Sequence, residues 1–434
     1  MSDAFAERRA RVLAALGTEG ALVVAAAPEL VVGGDSDVRY VPSADLYYLT
    51  GYTEPEAVLV LCPSADEPFT LFVRPRDPDR ELWTGTRGGV DAARDVFGAD
   101  ATYPVAELTE RLPKLIAGAS HAFASLDSGR AEFDAALRRA LEHARRTRPR
   151  HGRGVHTLSE PDVLLAPMRL RKDAVEIAAM RAAADITVAA FDDVARELRS
   201  AKHEYEVEAA VEYGFRRRGA AGPAFPTIAA SGANATVLHY TANNAPLRAG
   251  DLVLVDAGAR VQMYCADITR TYPVGGRFSP EQRAVHDIVL AAHDAVISCI
   301  APGRTAAELD EVALRTLVTG MIELRLLEGG VDELLDKREY RRYFPHRVSH
   351  WLGLEVHDVG DYAMAGEPVK LEAGMVLTVE PGLYIPAAVA SAPAGLRGIG
   401  IRLEDDVLVT AGGADVLTRA LAIGAEEVEA QLGG

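Results

Sequence analysis

The sequence predicts a two-domain chain, with a smaller α/β domain over residues 1–165 and a larger α+β domain over residues 166–434. Three observations point there. A chain of 434 residues exceeds one ordinary domain and suggests two, the second large. Its first part alternates helical and strand-like segments, the pattern of an α/β layer with a largely covered sheet. Its second part runs helices and then strands, twice over, which implies a duplicated α+β architecture without a clean sequence repeat.

In chain order, MSDAFAERRARVLAALG is charged throughout and reads as an amphipathic helix over about 3–16, not a signal peptide. GALVVAAA, EAVLVLCP and FTLFVRP follow as strands, each an apolar run bounded by Pro or charged residues, and HAFASLD continues the series. A charged helix is expected from about 130 to 146. The basic run HARRTRPRHGRG at 143–154 reads as a solvated connector near the domain boundary, in preference to a phosphate-binding patch. Long helices open the second domain, with Ile177, Met180, Ala184 and Val188 at helical spacing as a core stripe. GDLVLVDAG and MYCADITRTYPV are the next strands. A second helical region covers roughly 280–328, and glycine-punctuated strands dominate from there to about 410. The acidic AEEVEAQLGG is expected to be a solvated terminal helix.

Composition narrows the function classes. Hydrophobic content of 49% with 25% charged residues is ordinary for a globular protein. Nothing approaches the roughly 18 uninterrupted apolar residues of a membrane helix. Cys62, Cys265 and Cys299 are widely spaced and lack a CxxC, which points to a reducing, cytoplasmic compartment. A net charge of −17 argues against nucleic acid as a partner.

The chemistry concentrates in the second half. Asp256 in LVLVDAG, Asp267 in CADITRTY, His350 in RVSHWLGL, Glu380 in VLTVEPG and Glu404 in GIGIRLEDD sit in apolar, strand-like stretches. A carboxylate there is costly to bury unless something neutralises it. All five belong to the divalent-metal ligand set, and an oxygen-rich set with one imidazole suits Mn²⁺, Zn²⁺, Co²⁺ or Fe²⁺ better than a thiolate-type structural zinc. Asp256 and Asp267 are eleven residues apart, which suits two adjoining antiparallel strands joined by a loop. Carboxylates held side by side repel and need a cation or a shared proton. Taken alone, these two equally fit strand-end Asp residues capping turns. Glu380 ends its strand at Pro-Gly, and Gly398 and Gly400 let the backbone near Glu404 approach another element. A lone Glu fits an exposed or Arg-paired position, and a lone His350 fits a satisfied core histidine; the conjunction makes the metal reading. Two ions bridged by carboxylates would polarise a substrate carbonyl and hold a bridging hydroxide as nucleophile, with a neighbouring carboxylate moving its proton. His239 in ATVLHYTANN and His357 in LEVHDVGDY could steady a tetrahedral intermediate, or be hydrogen-bonded loop histidines.

LHYT, VDAG with DITRTYPV, SHWLGLEVHDVGDY, TVEPGLY and RGIGIRLEDD closely resemble the pita-bread metallopeptidases and, among them, the aminopeptidase P (X-Pro aminopeptidase) branch. DLYYLTGYTEPEAVLVL and RPRDPDRELWTG resemble that family's N-terminal domain. The resemblance implies a pita-bread (creatinase/aminopeptidase-like) catalytic domain. It also implies that Asp256, Asp267, His350, Glu380 and Glu404 ligate two ions, most often Mn²⁺. Asp256 would belong to one ion and His350 with Glu380 to the other, with Asp267 and Glu404 bridging and Glu380 doubling as proton shuttle. His239 and His357 match histidines that contact the scissile peptide and intermediate, and His346 matches one lining the proline pocket. Arg402 and Tyr384 match residues beside the ligands and on the substrate side. Trp83 matches a tryptophan that reaches a neighbouring subunit's active site, which implies a homodimer or homotetramer. Relatives commonly carry Gly where this chain has Arg347, which would narrow the pocket, meet a peptide carboxylate, or point to solvent.

The expected activity is removal of an N-terminal residue from peptides with proline second. Prolidase shares the fold and metals but prefers dipeptides; SHWLGL and the short segment between PGLYIP and RGIGIR look more like aminopeptidase P. Creatinase-like amidinohydrolases and non-catalytic binding relatives lose metal ligands, whereas this chain keeps all five.

Overall fold

The structure, a computed structural model, describes residues 2–34, 36–125 and 128–433. The last two residues of HAFASLD, Leu126 and Asp127, lie outside the described residues, as do Met1, Asp35 and Gly434. The chain forms two compact units, Met1–Arg169 and Leu170–Gly434.

The first unit starts with helix α1 (Ser2–Leu16). It is built on a six-stranded mixed sheet of β1 (Gly20–Ala25), β2 (Val58–Leu61), β3 (Phe69–Val73), β4 (Ala101–Pro104), β5 (His121–Phe123) and β6 (Thr157–Ser159), in the order β4-β3-β2-β1-β5-β6. Strands β1, β2 and β3 pair antiparallel, while β4, β5 and β6 join parallel. Val23, Val58, Val60, Phe72, Leu112 and Phe133 pack in its core. Helix α2 (Ala131–His151) runs past its expected end near 146. Most of the basic run is therefore helical and not a connector. Arg145, Arg146, Arg148 and Arg150 lie exposed along it, and Gly152 ends the helix in the left-handed conformation at φ 71°.

In the second unit, helix α3 (Ala174–Glu197) starts at a reciprocal cap between Asp173 and Glu176. Its buried face carries Ala179, Met180, Ala183, Thr187, Phe191 and Val194. Met180 and Ala184 of the expected stripe are in the core, while Ile177 and Val188 are half-buried at its margin. Helix α4 (Glu204–Arg217) follows. Strands β7 (Ile228–Ser231), β8 (Leu252–Ala257) and β11 (Ile268–Pro273) form an antiparallel sheet ordered β7-β8-β11. The chain between β8 and β11 is a hairpin, β9 (Ala259–Val261) and β10 (Tyr264–Cys265), where a simple loop was expected. Its turn takes positive φ at Gln262 and Met263, 48° and 70°, the backbone of a tight two-residue hairpin.

The order then recurs. Helices α5 (Pro280–Cys299) and α6 (Ala306–Glu323) precede a second antiparallel sheet of β12 (Val376–Val379), β15 (Asp405–Thr410) and β16 (Gly413–Val416), beside the pair β13 (Gly382–Tyr384) and β14 (Gly400–Arg402). Helices α3 and α4 share an apolar core with the first sheet through Phe191, Val211, Phe215, Val253 and Tyr272. Helices α5 and α6 do so with the second through Val285, Leu309, Leu317, Leu377 and Val407.

Two further expectations fail. Residues 343–362 are irregular chain, with an isolated bridge between Trp351 and Leu377 in place of strands. Their apolar residues are buried in adjacent groups, Tyr343 with Phe344 and Trp351 with Leu352, so the run carries no period of two. The C-terminal helix α7 (Ala425–Gly433) is not a solvated end: Val428 is fully buried and Leu432 is 7% exposed. Burial of this kind contributes on the order of 1.5–3 kcal/mol per side chain.

Candidate metal centre

Each acidic residue is delivered by a strand end. Asp256, one residue from the end of β8, is paired with Thr269 on β11 and Ile228 on β7. Asp267 lies just before β11, and its backbone N–H donates to both carboxylate oxygens of Asp406 at 3.2 Å. The β9–β10 hairpin folds tightly enough that a Cβ at Gly258 would fall 1.6 Å from the Ala266 carbonyl oxygen. Glu404 connects β14 to β15, and its N–H donates to the Thr269 carbonyl at 3.0 Å, which ties the two sheets together at the site. Glu380 directly follows β12 and donates its N–H to Val348 O at 2.8 Å. His350 is strapped to β12 by hydrogen bonds with Thr378, whose hydroxyl accepts from His350 N at 3.2 Å. Asp256 alone of the five stands inside a strand; the others flank strand ends or sit in irregular chain.

Their side chains converge. The His350 Nδ1–H donates to Trp351 O at 3.0 Å, which turns the Nε2 lone pair toward the carboxylates. From Nε2 the distances are 3.4 Å to Asp267 Oδ2, 3.7 Å to Glu380 Oε1 and 4.0 Å to Glu404 Oε1. One ligand atom from each of Asp267, His350 and Glu404 lies within 4.8 Å of the others. Asp256 joins through Arg402, whose Nη2 donates to Asp256 Oδ2 at 2.5 Å. Burial, then the charges of Glu404 and Asp256, push the Asp267 carboxyl well above its usual range. Burial and the same neighbours raise Glu380, while burial with the charges of Asp256 and Asp406 pushes Glu404 up to about 8. Burial also presses His350 down to about 4, leaving a neutral, ligand-ready imidazole. Among the described residues, the buried oxygens Asp256 Oδ1 and Asp267 Oδ1 have no hydrogen-bond partner. Four crowded carboxylates, one facing guanidinium, a neutral imidazole and two unsatisfied buried oxygens fit divalent cations and fit little else.

The flanking residues fall into three groups. His346 is held from both sides: its Nδ1–H donates to Arg347 O at 2.7 Å, and Nε2 meets the Tyr384 hydroxyl at 2.9 Å. Burial lowers it to about 4. Tyr384 accepts from Arg402 Nη1 at 3.0 Å. Exposed His357 packs edge-on against His350 with ring centroids 4.4 Å apart, and exposed His239 lies near enough for its charge to bear on His346. Arg347 is exposed, its guanidinium 5.6 Å from the centroid of the Tyr362 ring. Trp83 belongs to the first unit, on the short helix Pro78–Thr84, and is 88% exposed.

Sequence reasoning missed the residues that brace the candidate ligands. Thr269 donates to Glu404 Oε2 at 2.7 Å and accepts from Arg402 Nε at 3.0 Å. Buried Arg270 donates to the Glu404 carbonyl at 2.7 Å and to Asp405 at 2.7 Å, which also meets His293 and Thr418. The only signal was a second and third carboxylate after Glu404 in LEDD and the charged-polar TRT within an apolar strand.

The comparisons agree with this geometry. The family model described as metallopeptidase family M24 matches residues 178–411, and that of the N-terminal domain of aminopeptidase P matches residues 5–123. The chain is 40% identical over 428 residues to Xaa-Pro aminopeptidase of Escherichia coli K12, covering 98% of this chain and 96% of that one. It is similar to the solved structure of Pseudomonas aeruginosa aminopeptidase PepP, with TM-score 0.94, 40% identity and coverage of 100% and 98%. An Escherichia coli aminopeptidase P variant solved in complex with substrate matches with TM-score 0.94 at 38% identity, covering 99% of this chain and 98% of that one.

Proposed function

The chain belongs to metallopeptidase family M24 and carries the aminopeptidase P N-terminal domain ahead of it, and on that premise we propose how its residues remove an N-terminal residue that precedes proline. It is a metal-dependent aminopeptidase. The observation that carries the reading is the convergence of Asp267, His350 and Glu404, with Glu380 and Asp256 alongside, around buried oxygens that lack partners.

Asp256, Asp267, His350, Glu380 and Glu404 would hold two divalent ions, and the oxygen-rich set favours Mn²⁺. Asp267 and Glu404, buried deepest among the carboxylates' mutual charges, would be shared between them. Such ions supply Lewis acidity toward a carbonyl oxygen and lower the pKa of bound water. Glu380, its carboxyl raised well above its usual range by burial, takes a proton from the attacking water and passes it to the departing proline nitrogen. Like any amide nitrogen, it must gain a proton to leave as an amine, so the proton taken from the water is delivered there as the bond breaks. Arg402 holds the Asp256 side chain in place and fixes the Tyr384 hydroxyl, which in turn orients His346 against the proline ring. His357, against His350, and His239, on the exposed segment after β7, steady the peptide carbonyl and the charge that develops on it.

Exposed Leu82 and Trp83 on one short helix support a homo-oligomer, a dimer or tetramer, in which that helix meets a second copy of the chain. Three unpaired cysteines support a cytoplasmic location, and no helix among the described residues is long and apolar enough to cross a membrane.

The test is hydrolysis of an X-Pro dipeptide against an X-Pro-containing tripeptide, after chelation and Mn²⁺ restoration. Metal-dependent release of the first residue from the tripeptide is expected; cleavage of the dipeptide alone would make the activity that of a prolidase.

A further inference from the structure

Glu204, the first residue of α4, is fully buried, and among the described residues it forms no ion pair. Its carboxylate takes five donors. Oε1 accepts from Ser231 N at 2.6 Å, Ser231 Oγ at 2.8 Å and Asn234 Nδ2 at 3.0 Å. Oε2 accepts from the Tyr240 hydroxyl and from Ala245 N, each at 2.8 Å. Burial works to neutralise the acid, but these donors outweigh it and hold the carboxyl below its usual range. A buried anion is a costly way to fill space. What distinguishes this one is that every donor comes from a single stretch of chain, residues 231–245.

That stretch carries His239. A second clamp closes it at the far end: Asn243, 1% exposed with φ 43°, accepts from Ala229 N at 3.0 Å and donates to Thr227 O at 2.8 Å. One flank lies against β14, where a Cβ at Gly400 would sit 2.1 Å from Ala235 O; β14 leads directly to Arg402. Leu238 and Tyr240 pack on the core beneath, while Val237, 54% exposed, and His239 face outward. A polar surface segment with so little regular structure would ordinarily open locally at small cost. This one is tied down on both sides of its one outward histidine.

We infer that Glu204 is a positioning residue: it fixes the 231–245 segment so that His239 is held at the scissile peptide. The inference rests on the role given to His239 above. Displacing a reacting group by about 1 Å from a distance can cost about 100-fold in rate. The Glu204→Gln variant turns one acceptor oxygen into a donor that opposes the donors around it.

A double-variant cycle with His239→Ala tests the inference, using the metal-loaded full chain and an X-Pro tripeptide. His239→Ala is expected to lower kcat about 100-fold. Glu204→Gln is expected to lower it about 10-fold, with KM and metal content little changed and faster amide exchange confined to 231–245. In the His239→Ala background, Glu204→Gln should cost less than about two-fold more, because its effect is transmitted through the missing imidazole. Tyr240→Phe, which removes one of the five donors, repeats the cycle with a smaller loss should Glu204→Gln fold poorly. An equal loss in both backgrounds overturns the inference, as does an unimpaired Glu204→Gln beside an impaired His239→Ala. A fully active His239→Ala would remove the underlying reading of His239 as well.

Discussion

A single side chain at this site is defined by what opposes its charge. Asp267 and Glu404 are 5% and 2% exposed and face one another's carboxylates, so each is tolerable only with a cation between them or a proton on one of them. Asp267→Ala or Glu404→Ala should therefore release at least one ion and lower kcat/KM by about 10³-fold or more, several kcal/mol of transition-state stabilisation. Metal analysis of the purified variants alongside tripeptide kinetics checks this; full activity with full metal content in either variant would sink the dinuclear assignment. Arg402 shows why residue type alone misleads. Its guanidinium is occupied by Asp256, Thr269 and Tyr384 and is 4% exposed, so it acts by holding other groups in place.

Among the elements, the β9–β10 hairpin matters most. It turns the chain between Asp256 and Asp267, and Gly258 is where the backbone is tightest. Gly258→Ala forces a methyl into the Ala266 carbonyl, and neither backbone can yield without moving Asp256 or Asp267. A stability loss of about 3 kcal/mol or more is expected in urea unfolding, with metal affinity falling alongside it. Unchanged stability would show that the turn relaxes freely and does not set the spacing of the two aspartates. Elements also explain the misreadings. Helix α2 absorbed the basic run because Arg, Ala and Leu favour helix, and the Gly152 cap ends it later than the charge pattern suggested.

At the scale of the whole molecule, the uncompensated carboxylates make stability depend on metal and pH together. With the metal stripped, Glu404 titrates near 8, above its ordinary 4.5, and Asp267 and Glu380 shift the same way. A raised folded pKa means stability fully present below 4.5 and lost as pH rises through about 8. His350, lowered from 6.5 to about 4, has the opposite sign: its contribution is present above 6.5 and lost as pH falls through 4. Between pH 6.5 and 8 the carboxylates act together with His293, which is raised against the effect of burial by its hydrogen bonds to Asp294 and Asp405 and whose contribution has the same sign, so the chelated protein should lose Tm across that window. Divalent metal at about 100 times its Kd should add about 2.7 kcal/mol and remove the decline, since ligands bind metal deprotonated. Thermal unfolding with and without chelator decides; a chelated protein that stabilises toward pH 8 would contradict the carboxylate cluster.

By itself the sequence determined the two-domain order, the twice-repeated helices and strands, and the identity of the five ligand-type residues. Those properties reside in periodicity and in costly residues placed among apolar ones, which a local reading detects. Tertiary structure alone decided how the residues meet. That His350 sits in irregular chain strapped to Thr378, that Thr269 braces Glu404, and that Glu204 gathers five donors all depend on segments far apart in sequence. Hydrogen bonds that tie a side chain to a distant segment leave no periodic trace, because their geometry is set by tertiary packing and not by the repeat of either segment.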